Sequence, residues 1–367
     1  MKVIVEPNDG VAPLVSAIRN AKKSVEIVIF RFDHRDIEAA LKAAVGRGVK
    51  VTALTGYTNR GGEAKLRQLE MRFLDAGIIV ARSADDLTRY HDKLLIIDRR
   101  VLYMLSFNYT HVDIDHSRGF GIVTRNAEWV QEAGKLLEAD SMRCAYEPGL
   151  DSFVVSPVNS RKVLARFIRR ARKELLIYDP RISDKEMIGI LQDHATAGVV
   201  VRILGRIDEG THLTARKLNP LRLHARTIIR DRRQVFVGSQ SLRSAALDSR
   251  REVGLIVGDP KVVKTLIATF ESDWGSAGAA KPPQPAEKAP AAAPEKQTED
   301  AVQVLARDLG PLTDTVKKAV KKVVAKAGEE VLEDKVVKET VKKVVKKVVK
   351  KAVKEAVEEV AQDAKKA

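Results

Sequence analysis

Two stretches of this chain repeat each other, and any fold must accommodate both copies. Ala21-Lys22-Lys23-Ser24-Val25-Glu26-Ile27-Val28-Ile29 has its counterpart 150 positions later, in Ala171-Arg172-Lys173-Glu174-Leu175-Leu176-Ile177-Tyr178-Asp179. The same offset pairs residues 41–51 with residues 191–201. Each copy reads as helix, apolar β-branched strand, helix, glycine and second apolar strand. Helices alternating with buried strands predict βαβ units around a parallel or mixed sheet. The chain is therefore expected to hold two tandem α/β halves, over 1–148 and 149–276.

A second repeat carries chemistry. Tyr90-His91-Asp92-Lys93-Leu94-Leu95-Ile96-Ile97-Asp98 places His, Lys and Asp in an otherwise apolar run. Alone, it reads as an edge strand with a charged end and an Asp starting a turn. Its counterpart is Leu223-His224-Ala225-Arg226-Thr227-Ile228-Ile229-Arg230-Asp231, with His, a cation and Asp at the same spacing. The offset here is 133, so the second half is 17 residues shorter. The missing piece falls within 61–83, read as an extra helix and strand. Downstream, Leu105-Ser106-Phe107-Asn108 matches Gly238-Ser239-Gln240-Ser241. Two copies with the same following serine make an incidental edge strand a poor account.

Composition narrows the partners. A formal net charge of +16 points to polyanions: nucleic acid, anionic headgroups or phosphorylated substrates. Cys144 is the sole cysteine, which excludes an intrachain disulfide framework and a cysteine-based metal site. The run after Met1 is too short for a signal peptide, and no stretch approaches the roughly 18 apolar residues of a membrane span. The expectation is a cytoplasmic protein, peripheral on a membrane if attached at all. An Ala/Pro-rich segment over 277–310 is expected as a disordered linker. Over 311–367 a Val-Val-Lys-Lys repeat of period four predicts a basic amphipathic helical tail. Its like-charged lysines at i,i+4, such as Lys342, Lys346, Lys350 and Lys354, leave an isolated helix marginal. An anionic membrane surface or nucleic acid is the expected partner of this tail. Self-association through Val337, Val341, Val344 and Val348 is the alternative, with a monomeric core.

The paired His-x-Lys/Arg-x4-Asp motifs resemble the signature of the phospholipase D superfamily. The resemblance spans roughly residues 1–275 and excludes the tail. It implies a pseudo-twofold pair of α/β halves, with both histidines meeting at the interface between them. These residue types suit transfer at a phosphodiester: one imidazole attacks phosphorus to form a phosphohistidine, and the other serves the leaving alcohol as acid and then activates water. His91 and His224 are the implied pair, with Lys93 and Arg226 holding the non-bridging oxygens. Arg226 departs from the usual Lys and alters geometry while keeping a permanent charge. Ser106, Asn108 and Ser239 are expected to add hydrogen bonds to the phosphate. Asp98 and Asp231 are expected as structural support. With two imidazoles and two fixed cations, no metal and no cofactor are expected.

The resemblance also implies a carboxylate orienting a histidine of the opposite half. Glu252 lies 28 residues after His224, whereas the matching position after His91 is Gly119. Glu252 is therefore expected to orient His91 as nucleophile, with a surface salt bridge to Arg250 or Arg251 as its plain alternative. Asp113 or Asp115 is expected to stand in for the missing carboxylate near His224. The histidines without a motif, His34, His111, His116, His194 and His212, read as surface or structural. The expected activity is a phospholipase D-type phosphodiesterase on phospholipid. A phosphatidyltransferase, a nuclease and a catalytically dead polyanion-binding scaffold are the alternatives, in that order.

Overall fold

The computed structural model describes residues 1–57, 63–208 and 212–279. In the first half the order is β1 (Lys2–Glu6), α1 (Ala12–Asn20), β2 (Ser24–Ile29), α2 (Arg35–Gly46), β3 (Lys50–Thr55), α3 (Glu63–Asp75), β4 (Ile79–Arg82) and β5 (Arg89–Tyr90). It continues through β6 (Leu94–Ile97), β7 (Val101–Leu105), α4 (His111–Asp115), β8 (Ser117–Thr124) and α5 (Ala127–Met142). The second half runs β9 (Phe153–Ser156), α6 (Ser160–Arg169), β10 (Glu174–Ile182), α7 (Lys185–Thr196), β11 (Val200–Ile207), β12 (Thr214–Lys217) and β13 (Arg222–Leu223). It ends with β14 (Arg226–Arg230), β15 (Gln234–Gly238), α8 (Ser244–Asp248), β16 (Arg250–Val257), α9 (Pro260–Ser276) and β17 (Gly278–Ala279).

Each half builds one mixed sheet, in the order β1-β8-β7-β6-β2-β3-β4 and β17-β12-β11-β10-β14-β15-β16. Alternation along the strands sorts side chains into layers. Leu94, Ile96, Leu102, Met104, Phe120 and Ile122 join a core shared with Leu176, Val235, Val237, Val253 and helices α5 and α9. The alternate residues Leu95, Ile97 and Leu105 face α1 and α2 in an outer core of the first half. Ile177, Ile203 and Phe236 do the same against α6 and α7 in the second. The result is a mixed α/β stack: helices, sheet, two central helices, sheet, helices. Both sheets lie within one unit, Met1–Pro283.

Two sequence expectations need correction. The strand read as extra in the first half has an equivalent, because β12 lies parallel to β11 as β4 lies parallel to β3. The additional element is the helix α3. The linker expected from residue 277 begins later, since β17 pairs with β12. From residue 280 the linker, and all of the tail over 311–367, lie outside the described residues.

The halves exchange short strands. β5 leaves the first half to pair with β16, while β13 leaves the second half to pair with β8. Each exchanged strand stands at the motif histidine. The His91 amide donates to the Arg251 carbonyl at 2.7 Å, and the His224 amide donates to the Arg118 carbonyl at 3.1 Å. Those same two arginines pin the interface through bidentate pairs: Arg118 with Asp273 at 2.8 and 2.9 Å, Arg251 with Asp140 at 3.0 and 2.9 Å. Tyr178 Oη adds a hydrogen bond to Asp273 at 2.7 Å. A buried pair stabilises little against an apolar replacement, but removing one partner strands a charge, at a cost of about 3–5 kcal/mol. Asp273→Asn should therefore lower unfolding stability by about that amount. Urea denaturation with an unchanged midpoint would show that Arg118 finds another partner.

Candidate active site

The chain reaches the site through β-strand ends. His91 and Lys93 lie between the exchanged strand β5 and the buried strand β6, while His224 lies between β13 and β14 and Arg226 opens β14. His91, Lys93 and His224 are all buried. Both motif cations are tied by pseudo-symmetric bonds, Lys93 Nζ to the His91 carbonyl and Arg226 Nη1 to the His224 carbonyl at 2.9 Å. Lys93 and Arg226 each bear electrostatically on both histidines. The two motifs thus share one buried centre.

Glu252 reaches across the halves as expected: its Oε2 lies 2.8 Å from His91 Nδ1. The plain surface-pair alternative fails, because Glu252 is buried. That contact leaves Nε2 as the nitrogen of His91 not engaged by the carboxylate. Burial, then Lys93 and Arg226, pushes His91 well below the ordinary histidine range. Burial pushes Glu252 up, against the opposing pull of Lys93 and Arg226.

The other side is built differently. Of the two candidate carboxylates, Asp113 faces His224, its Oδ2 standing 3.6 Å from Nε2. That is too long for a hydrogen bond, and His224 Nδ1 has no hydrogen-bond partner. Asp113 therefore acts on His224 as a nearby charge and does not fix its tautomer. Burial raises Asp113, but His224, the Asn108 amides and Arg222 outweigh it and hold the carboxyl down to about 2. His224 is itself held well below its ordinary range by burial and then Arg226. Where a carboxylate would mirror Glu252 stands Gly119, and a Cβ there would lie 2.9 Å from the Phe107 ring.

The remaining expected residues mostly brace the site. Asn108 donates from its backbone N–H and its Nδ2 to Asp113 Oδ2, at 2.8 and 2.6 Å. Ser106 Oγ accepts the Phe120 amide at 2.9 Å, and Ser239 Oγ accepts the Val253 amide at 3.1 Å. These hydroxyls pin strand pairs beside the phosphate position expected for them. Asp98 and Asp231 lie outside the centre. Asp98 accepts the amides of Lys22, Lys23 and Ser24, and Asp231 those of Arg172, Lys173 and Glu174. Each carboxylate thereby ties the strand after its motif to the start of β2 or β10. Sequence reasoning missed Arg118, Asp140, Arg251 and Asp273, although the arginines and the aspartates each recur at the same 133-residue offset. It also separated His34 and His111, which the structure stacks with ring centroids 4.1 Å apart, next to Asp115.

Paired histidine motifs, joined by exchanged strands at one buried centre, match a known family. The family model for "Cardiolipin synthase, PLD-like domain" covers residues 14–141 and 164–274. The chain belongs to the phospholipase D-like family. Its members in this comparison include the mitochondrial cardiolipin hydrolase of Mus musculus, 27% identical over 118 residues, which are 32% of this chain and 52% of that one. The corresponding protein of Canis lupus familiaris is also 27% identical over 118 residues, covering 32% and 45%. The chain thus spans about half the length of these curated relatives. Among solved structures, phosphatidylserine synthase from Haemophilus influenzae has a TM-score of 0.59 at 11% identity, covering 76% of this chain and 87% of that one. Polyphosphate kinase from Porphyromonas gingivalis has a TM-score of 0.63 at 19% identity, covering 74% and 50%. At such identities these two likenesses concern the fold. Membership in the phospholipase D-like family points to phosphodiesterase or phosphatidyltransferase chemistry.

Proposed function

We propose that this protein is a phospholipase D-type phosphodiesterase that hydrolyses a phospholipid through a phosphohistidine on His91. The observation that carries the reading is the 2.8 Å contact between His91 Nδ1 and Glu252 of the opposite half. It orients the His91 imidazole, whereas His224 has no such support. In the first step, His91 Nε2 attacks phosphorus and the phosphorus–oxygen bond to the leaving alcohol breaks. His224 gives its proton to that alcohol. In the second step, His224 takes a proton from water, whose oxygen attacks phosphorus and releases His91. Lys93 and Arg226 stabilise charge on the non-bridging oxygens in both steps. His224 takes up a proton from solvent as the anionic substrate binds, gives it to the leaving alcohol in the first step and recovers one from the attacking water in the second. The lipid named in the cardiolipin hydrolase relatives supports a lipid substrate. So does the net charge of +16, which favours anionic surfaces.

The test is purified protein, in chelator, on cardiolipin and phosphatidylcholine vesicles and on single-stranded DNA. Release of phosphatidic acid from vesicles, with DNA intact, is the expected result. Transfer to an added alcohol in preference to water would make the protein a phosphatidyltransferase, and cleavage of DNA alone would make it a nuclease.

The pH profile follows from the same site. Burial lowers Lys93 to about 7, and it must be charged to hold phosphate. Its charged form is lost as pH rises through that value, so kcat/KM should fall above about pH 7. In Lys93→Arg the alkaline limb should move up, because a guanidinium stays charged. A limb that stays in place in that variant would assign it to another group.

A further inference from the structure

Beyond Glu252 and Gly119, the correspondence of the two halves exposes a further place where they differ in charge. In the second half, Arg161 lies in a cradle made by the start of α7 and the helix α8. Its guanidinium binds Asp184 at 3.1 and 2.7 Å, Asp248 at 2.8 and 2.6 Å and Glu186 at 3.0 Å. Ser244 Oγ completes the cradle with a 2.8 Å bond to Asp184. The backbone is equally fixed, since the amides of Ser183 and Asp184 both donate to the Leu242 carbonyl.

The first half repeats this backbone without the cation. The amides of Asp33 and His34 both donate to the Tyr109 carbonyl, as their counterparts do. By the two offsets, Asp184 becomes His34, Ser244 becomes His111, Asp248 becomes Asp115 and Glu186 becomes Asp36. Arg161 becomes Val11, so the matching position in the first half carries an aliphatic side chain and no guanidinium. The new residues are metal-ligating types. His34 is buried at 3% exposure, and its Nδ1 has no hydrogen-bond partner. His111 and Asp115 share one face of α4 at i,i+4, with His111 Nδ1 3.0 Å from Asp115 Oδ2. One donor atom from each of the three lies within 4.8 Å of the others.

We propose that His34, His111 and Asp115 bind a divalent transition cation, Zn²⁺ in the first instance, which replaces the guanidinium of the second half. Two imidazoles and one carboxylate suit a borderline cation of this kind better than Mg²⁺ or Ca²⁺. Bonds of about 2.0–2.1 Å in a tetrahedron put donors about 3.3 Å apart. The half-exposed His111 and Asp115 close that gap by turning toward the fixed His34. The fourth position falls to water. The cation then fastens α4 to the start of α2, as Arg161 fastens α8 to α7. Asp113 projects from the opposite face of α4, so the cation touches neither histidine of the reaction.

The experiment uses the full chain, stripped with chelator and titrated with Zn²⁺ by calorimetry and with Co²⁺ by visible absorption. The expected result is one tight equivalent with a tetrahedral Co²⁺ spectrum and a raised Tm on Zn²⁺ addition. His111→Ala and Asp115→Asn should each weaken that equivalent by about 100-fold while the metal-free Tm holds. Val11→Arg, which restores the guanidinium, should exclude the metal. His91→Ala should retain it. Failure of the wild type to bind one equivalent, or equal binding by wild type, His111→Ala and Asp115→Asn, would overturn the proposal.

Discussion

His91→Asn should lower turnover of a phospholipid substrate by at least about 10⁴-fold, the scale seen when a nucleophile acting within a catalytic unit is removed. Asparagine keeps the size and polarity of the buried site, so the fold and the Glu252 contact partner survive. The loss belongs to kcat, because Lys93 and Arg226 still hold the phosphate. Rapid quenching of the wild type with labelled substrate should trap a phosphorylated histidine, which peptide mapping should place at His91. An adduct at His224, with His91→Asn still able to form it, would exchange the two roles.

Glu252→Gln should have the next largest effect, a fall in kcat of about 10²–10⁴-fold with KM nearly unchanged. In the proposed mechanism the carboxylate accepts the Nδ1 proton and so presents Nε2 as the attacking lone pair. An amide of the same shape can present its NH₂ instead, which stabilises the wrong tautomer. It also removes the negative charge that offsets the positive charge growing on the imidazole. Glu252→Asp should recover part of the rate if its shorter reach still meets His91. A change confined to Tm, with kcat intact, would reduce Glu252 to a packing residue. The corresponding change at Asp113 should be milder, since its 3.6 Å approach to His224 supplies field without fixing the ring.

The parts of this site that sequence made legible are those written twice. The histidines, their cations, the trailing aspartates and the serines are local patterns, and a repeat doubles the signal of each. Glu252 was reachable because the family pattern supplies a reason to look 28 residues on. Asp113 and Asp115 could not be separated, because they differ only in which face of the five-residue helix α4 they occupy, and that rotation is set by packing on β8. The exchange of β5 and β13 was invisible, since two-residue strands carry no periodicity. The arginine–aspartate pins join residues more than 100 positions apart, and a buried charge looks like a surface charge in a string of letters. His34 and His111 were set aside for the related reason that neither sits in a repeated motif. Their proximity comes from the loop after β2 meeting the loop after β7.

The ring of Phe107 builds the difference between the two halves into their packing. A side chain begun at Gly119 would meet that ring at 2.9 Å, where the other half carries Gln240. A carboxylate at 119 therefore requires the buried Phe107 ring to shift or be replaced, and truncating that ring opens a hole that costs about 3–5 kcal/mol. The intermediate is less stable and gains nothing until the second change arrives. Selection acting one substitution at a time cannot easily return the two halves to equivalence. The asymmetry between the two histidines is thus held by packing as well as by the presence of a single facing carboxylate.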